Sequence, residues 1–219
     1  MKLSILIPTH KRPELFKRCL KSARLLLDNN NVEIIVNNDS DDVIPEDYHP
    51  NITYYFNKFD NLSKVYQFLL SKASGEYVYF LEDDDYLVKN FEVPLVADII
   101  AGNYCPTYNT DDKLTFMRLF NDALLTPEEF VSNLNLEHLQ LSQFIFKRKV
   151  IEHFPFPMDN NVHNDINLVM FAAKHSKQVL TLNKVLFYQT IDGGDNISFE
   201  GTKKELDVIV SMDFLKEYQ

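Results

Sequence analysis

Glycine is scarce, at 5 residues in 219. A phosphate-wrapping Gly-rich loop, in which small residues bring backbone N–H groups up to a nucleotide, therefore has no material here, and no dense basic cluster replaces it. Cysteine is rarer still. Cys19 and Cys105 stand alone, so no disulfide framework holds the chain, and Cys19 falls on the apolar face of an expected helix as a reduced core thiol would. Long apolar runs are missing as well. Nowhere do about 18 uncharged apolar residues follow one another, and the opening Met1-Lys2-Leu3-Ser4-Ile5-Leu6-Ile7-Pro8 holds too short an apolar stretch for a signal peptide. The expectation is a cytoplasmic, soluble protein without a membrane span. Positive charge is also in deficit: a formal net charge of −10 argues against a broad electrostatic grip on nucleic acid or on an anionic membrane.

What the chain does have is apolar and aromatic bulk, with 45% hydrophobic residues, 17 Phe and 11 Tyr. That suffices for one sizeable domain, and no linker or repeat divides residues 1–219. The first half alternates strand and helix signals as a parallel sheet does. Strand Leu3 to Ile7 breaks at Pro8, and Pro13 opens a helix whose Leu15, Phe16, Cys19, Leu20, Ala23 and Leu27 recur at helical spacing. Strand Val32 to Val36 ends in the polar cluster Asn37 to Asp42. A strand near Ile52 to Phe56 leads to Asn61 and a helix carrying Val65, Phe68, Leu69 and Leu70, before the strand Tyr77 to Leu81. Polar residues thus collect after strands one, two and four, on one edge of the expected sheet.

The second half is less regular. Thr126-Pro127-Glu128-Glu129 predicts a capped helix start, Gln143 to Phe146 a strand, Lys147 to His153 a short helix, and a helix begins near Asp165. Two strands, Val179 to Leu182 and Val185 to Gln189, precede a last helix opened by Thr202. The fold class is α/β, a mostly parallel sheet flanked by helices with a smaller region in the second half.

The most informative segment is Glu82-Asp83-Asp84-Asp85, placed where the apolar strand leaves the sheet. Open α/β sheets bind ligands at that edge. Four adjacent carboxylates raise each other's pKa values unless a cation or hydrogen-bond donors absorb the charge. Oxygen-only ligands suit Mg2+ or Mn2+, and Mg2+ is commonly held by one or two carboxylates with phosphates and waters completing the shell. The plainer alternative is a solvated acidic turn.

Taken together, four segments resemble family 2 glycosyltransferases over residues 2 to 198. They are Ser4 to Arg12, which is similar to the family's first strand and Pro-Thr-Tyr-Asn-Arg turn; Glu33 to Asp42, similar to its Glu-Ile-Ile-Val-Val-Asp-Asp-Gly-Ser segment; Gly75 to Asp85, similar to the strand that enters its Asp-x-Asp motif; and Phe144 to Arg148 with Phe154 to Phe156 and Asn164-Asp165, similar to the acceptor-side segment. The resemblance implies a GT-A, Rossmann-like fold and an enzyme that inverts the anomeric carbon while moving a sugar from a nucleotide-sugar donor. It implies a single domain with a donor-binding half, 1–100, and an acceptor-side half, 101–219. Asp84, with Glu82 or Asp83, would bind the Mn2+ or Mg2+ that bridges the donor phosphates. Pro8, Thr9 and Asn38 would lie against the base and ribose, and Asp165 would be the general base.

The chain departs from the family pattern at three places. Asn37 and Asn38, whose amides both donate and accept, stand where an Asp usually reads the base, which leaves bases other than uracil open although a UDP-sugar is the first expectation. Asn164-Asp165 replaces a Glu-Asp pair. Thr190, Ile191 and Asp192 stand where many relatives have a metal- or phosphate-holding histidine, a role that would pass to Asp192 or His163.

Each candidate has a plainer reading. Arg12 and Lys64 would contact donor phosphate or be surface cations; Asp165 would be a helix N-cap; Asn38 would belong to a turn. Asp192-Gly193-Gly194-Asp195 reads as a turn, with a calcium loop as the lesser alternative. Tyr104, Tyr108 and Phe144 would floor a sugar site or fill the core. The acceptor is a saccharide or another hydroxyl compound, and one narrower version is a bacteriophage enzyme acting on hydroxymethylated bases of DNA, with Lys11, Arg12, Lys17, Arg18 and Lys21 as a basic patch. Rival classes are nucleotidyl transfer to a sugar phosphate, which would bring a Gly-rich loop, and a binding module without turnover.

Overall fold

The computed structural model describes residues 2–29, 31–44, 49–107, 118–156 and 164–191. Thirteen elements follow in order: β1 (Leu3–Thr9), α1 (Pro13–Arg24), β2 (Val32–Asn38), β3 (Ile52–Tyr55), α2 (Leu62–Lys72), β4 (Tyr77–Phe80), β5 (Tyr86–Leu87), β6 (Ile99–Thr107), β7 (Ala123–Leu125), α3 (Pro127–Ser132), β8 (Phe144–Lys147), α4 (Asn164–Lys174) and β9 (Val179–Thr190). The strands form one sheet in the order β3-β2-β1-β4-β8-β6-β9-β5, with β7 paired to β9. The first four are parallel. β8 runs antiparallel to both β4 and β6, and β6 and β9 are parallel again. Among the described residues no helix is long and apolar enough to cross a membrane.

Side-chain alternation divides the apolar residues between the two faces of this sheet. Leu6, Val78 and Phe80 join one core with Leu69 of α2, Phe130 of α3 and Val169 of α4. Ile5, Ile7, Tyr77 and Tyr79 join the other with Phe16, Cys19 and Leu20 of α1. Helix starts follow their sequence signals. Asn61 caps α2 by accepting from Ser63 N at 2.6 Å, and Thr126 and Glu129 form the reciprocal capping box of α3.

Four expectations need correction. β1 runs through Pro8 to Thr9, because β4 pairs with it only as far as Leu6, so on that flank the missing proline N–H breaks no ladder. Lys147 to His153 is a strand end followed by a single 3-10 turn at Arg148–Val150. The two late strands are one, β9. The register slips at Asn103, whose side chain donates to the carbonyls of Phe120 and Leu182 and accepts from Leu119 N and Phe120 N, holding the ladder together across the slip. β6 itself was not anticipated. The final helix expected after Thr202 lies outside the described residues.

Gly75 shows how closely the strands are fitted where they enter the sheet. A Cβ there would stand 2.7 Å from Ser4 N and 2.8 Å from the Tyr77 carbonyl, both backbone atoms that cannot swing aside. Gly75→Ala is expected to destabilise the fold by about 1–3 kcal/mol. A thermal melt checks this, since each kcal/mol lowers Tm by roughly 2–4 °C in a chain of this size; an unchanged Tm would mean that the two strands part readily.

Candidate functional site

Because β1, β2, β3 and β4 are parallel, their C-terminal ends lie on one edge, and the segments leaving them share it. β4 delivers the acid run. Asp83, Asp84 and Asp85 are 5%, 7% and 5% exposed, so the solvated acidic turn is not what forms. Burial pushes the Glu82 carboxyl up to about 8 and Asp83 up to about 6, in each case reinforced by the Asp84 charge. Burial also raises Asp84, and it raises Asp85 well above the carboxylate range, helped by its acidic neighbours. Glu82 keeps a partly open flank, and the Tyr66 hydroxyl, the charges of Asp84 and Asp83 and the Arg12 guanidinium act on its carboxyl.

Cations and donors from three other elements answer this charge. Arg12, at the N-cap of α1, places Nη1 2.8 Å from Asp84 Oδ2 and 3.3 Å from Asp83 Oδ1. The loop that presents it is bent at Lys11, whose φ of 55° is the only positive value of a non-glycine residue among those described, an unusual conformation for a side chain with a Cβ. His10 N donates to Asp83 Oδ2 at 3.2 Å and the His10 ring meets Asp39. Arg18, in the middle of α1, donates through Nη2 to the Asp84 carbonyl at 2.8 Å and to the Thr190 hydroxyl, with its guanidinium 4.5 Å from the Tyr86 ring centre. Tyr86 stacks on Tyr188 of β9 at 4.8 Å. Thr190 N then donates to Asp85 Oδ1 at 3.2 Å, which ties the end of β9 to the acids.

On the opposite side the Tyr66 hydroxyl of α2 donates to Glu82 Oε1. Burial raises its phenol well above 10, and the negative charges of Glu82, Asp165 and Asp84 add to that. Asp165 therefore stands close enough for its charge to reach Tyr66. It sits in the first turn of α4, where its Oδ1 accepts from Ile166 N at 2.9 Å.

The other candidates are distributed as follows. Pro8 and Thr9 are buried at the tip of β1, paired in register with Asn37 and Asn38. Thr9 Oγ1 makes no well-formed hydrogen bond among the described residues, though it lies near enough to Asp83 to favour that carboxylate's charge. Asn38 donates to the Asp42 carbonyl and accepts from Ser40, so its amide shapes the turn. Asn37 is clasped to Asn57. Lys64 pairs with Asp60 at 2.7 Å on the helix surface. Tyr104 and Phe144 are core residues, 3% and 0% exposed, and not a sugar floor. Arg12 and Arg18 face the acids, which removes two members of the expected basic patch. His163, Asp192, Tyr108 and the Gly193-Gly194 turn lie outside the described residues.

Tyr66, Arg18, Thr190 and the His10–Asp39 contact were missed as site residues. Arg18 had a signal, lying two turns of helix from the Pro8–Arg12 segment, but its basic neighbours Lys17 and Lys21 gave it the look of a surface residue.

Whether a divalent ion fits is a question of the acid oxygens. Among the described residues no three His, Cys, Asp or Glu side chains form a closed cluster, but two carboxylates already converge on one positive centre, and a Mg2+-type site completed by phosphate and water needs no third.

The sequence model of Glycosyl transferase family 2 matches residues 4–154. A curated relative, glycosyltransferase GlyA of Streptococcus pneumoniae serotype 4, is 23% identical over 95% of this chain, which spans 33% of the relative's length. The structure resembles residues 1–349 of S. aureus TarS in complex with UDP, with a TM-score of 0.71, 18% identity, and coverage of 98% of this chain and 64% of that one. The complex of the same protein with UDP-GlcNAc gives a TM-score of 0.68 at 17% identity, covering 91% of this chain and 61% of that one.

The raised carboxyl pKa values set a pH dependence for the metal-free chain. A carboxyl whose folded pKa exceeds its unfolded value binds more protons when folded, so stability falls as pH rises between the two. For Glu82 that window runs from 4.5 to about 8. Tm measured in chelator is expected to fall across it and Glu82→Gln to flatten the fall; a wild-type Tm that climbs over the same range contradicts the buried cluster.

Proposed function

The chain belongs to glycosyl transferase family 2 and has the GT-A fold, and from that premise we propose that it is a metal-dependent, inverting glycosyltransferase that moves a sugar from a nucleotide donor to an acceptor hydroxyl. The observation that carries this reading is the convergence of the buried acids of β4, Arg12 of the β1 loop, and Asp165 of α4 around one sheet edge. Residues 1–100 form the donor half and 101–219 the acceptor half of one domain.

In this reading Asp84, with Glu82 or Asp83, would hold Mn2+ or Mg2+. When bound, the ion supplies positive charge to the diphosphate oxygens of the leaving group. The protein's own groups do the rest. Pro8, Thr9 and the turn held by Asn38 form the floor beneath the nucleoside, and Arg12 meets the phosphates. Asp165 accepts the proton of the acceptor hydroxyl as that oxygen bonds to the anomeric carbon and the bond from carbon to the diphosphate oxygen breaks. Its place in the first turn of α4, with Oδ1 held by Ile166 N, fixes the direction of the Asp165 carboxylate. The UDP and UDP-GlcNAc complexes of S. aureus TarS make UDP-sugars the first donors to try. No observation favours the DNA-modifying version, since Arg12 and Arg18 are turned inward.

Release of nucleoside diphosphate from a panel of nucleotide sugars with Mn2+ tests the reading and identifies the donor. Asp84→Ala is expected to abolish release. Wild-type turnover in that variant removes the ion from its assigned place. Asp165→Asn is expected to keep donor affinity and to lose transfer by about 10²-fold or more, the scale of a general base; transfer at the wild-type rate moves the base elsewhere.

A further inference from the structure

Arg12 occupies the position that the proposed reading gives to a divalent ion. One nitrogen, Nη1, is shared by Asp84 Oδ2 at 2.8 Å and Asp83 Oδ1 at 3.3 Å. The side chain is 19% exposed. Its direction is imposed by the loop: Lys11 takes the left-handed φ of 55° and His10 N is tied to Asp83. Arg18 differs in kind. It holds a backbone carbonyl and the Thr190 hydroxyl and lies on Tyr86, so it supports the turn without covering carboxylate oxygens. Arg12 covers the oxygens themselves.

An ion and a guanidinium compete for the charge of these two carboxylates, one oxygen of each being held by Arg12. Mg2+ needs carboxylate oxygen at about 2.0–2.1 Å, and a second cation at ordinary hydrogen-bond distance from the same oxygen repels it. Entry of the ion therefore weakens the hold of Arg12 on both carboxylates, around a side chain only 19% exposed. A diphosphate reverses that balance, because its oxygens match the planar donor fork of arginine.

We propose that Arg12 is a resident counter-ion that changes partners. It neutralises Asp83 and Asp84 in the donor-free protein and passes to the donor diphosphate when the divalent ion enters, so that ion and nucleotide bind as a mutually dependent pair. This rests on the metal-dependent reading above. Reciprocity requires the nucleotide to tighten ion binding by the same factor as the ion tightens nucleotide binding. The arrangement keeps the site closed to free divalent ions and ready for a charged donor.

Direct Mn2+ binding, measured by the electron paramagnetic resonance of free Mn2+ with and without UDP, separates the outcomes without any turnover. For the wild type, Mn2+ alone is expected to bind weakly and UDP to tighten it by about tenfold or more, within the usual range of coupling. Arg12→Met, which keeps the stem and removes the charge, is expected to bind Mn2+ alone about tenfold more tightly and to lose most of the UDP effect. Arg12→Lys retains charge without the fork and should fall between. Absence of UDP coupling in the wild type overturns the exchange using the native protein alone, so the test survives a variant that does not fold. Unchanged Mn2+ affinity and unchanged coupling in Arg12→Met overturn the exchange and leave the metal-dependent reading standing. Failure of every form to bind Mn2+ even with UDP overturns both.

Discussion

Carboxylates buried at the end of a strand must be compensated, and the edge of this molecule is arranged around that requirement. Ionised groups withdrawn from water lose hydration worth several kcal/mol each, and like charges beside them add to the penalty. Here the compensation comes from elements far apart in sequence: Arg12 and Arg18 from the start of α1, Tyr66 from α2 and Thr190 from the end of β9. Each contact draws its element toward the acids. The result is a rim in which a helix start, a helix face and a strand end are positioned by electrostatic demand, with the apolar core beneath them supplying the stability.

The sheet makes that arrangement available. Four parallel strands release their loops on one edge, and β8, running the other way between β4 and β6, has its own start at the same rim. Tyr79 on β4 donates to the Ser142 carbonyl just before β8, so the acid-bearing strand is anchored to the second half of the chain as well as to the first. Asp165 comes near by a separate route, because α4 packs on the core face that carries Tyr66 and Phe80.

Much of this is legible in the sequence, and the limit is physical. Short apolar runs bounded by polar or turn residues give β1 to β4, of which β1 and β4 are buried on both faces, and helical spacing gives α1 and α2. A proline in the first turn and a capping box give the start of α3. β6, Ile99–Thr107, escapes because Gly102, Asn103 and Pro106 break its strand character, and its support comes from a slipped pairing with a strand about 80 residues later. The acids stand out as a run, but their partners do not. Arg12 lies about 70 residues from the carboxylates it meets, and nothing local distinguishes it from a surface arginine. Tyr66 resembles any buried aromatic until its hydroxyl is seen to reach Glu82.

The clasp between Asn37 and Asn57 bears on how interchangeable these residues are. Asn37 donates from its amide nitrogen to the Asn57 carbonyl at 3.1 Å and accepts from the Asn57 backbone N–H at 3.3 Å, a two-way handshake that only a carboxamide can complete. An aspartate in its place would set oxygen against oxygen and lose the bond to the Asn57 carbonyl, which lies on an exposed residue. The tips of β2 and β3 are thus fastened by a neutral pair, and restoring an acid to that corner would need a compensating change on the neighbouring strand.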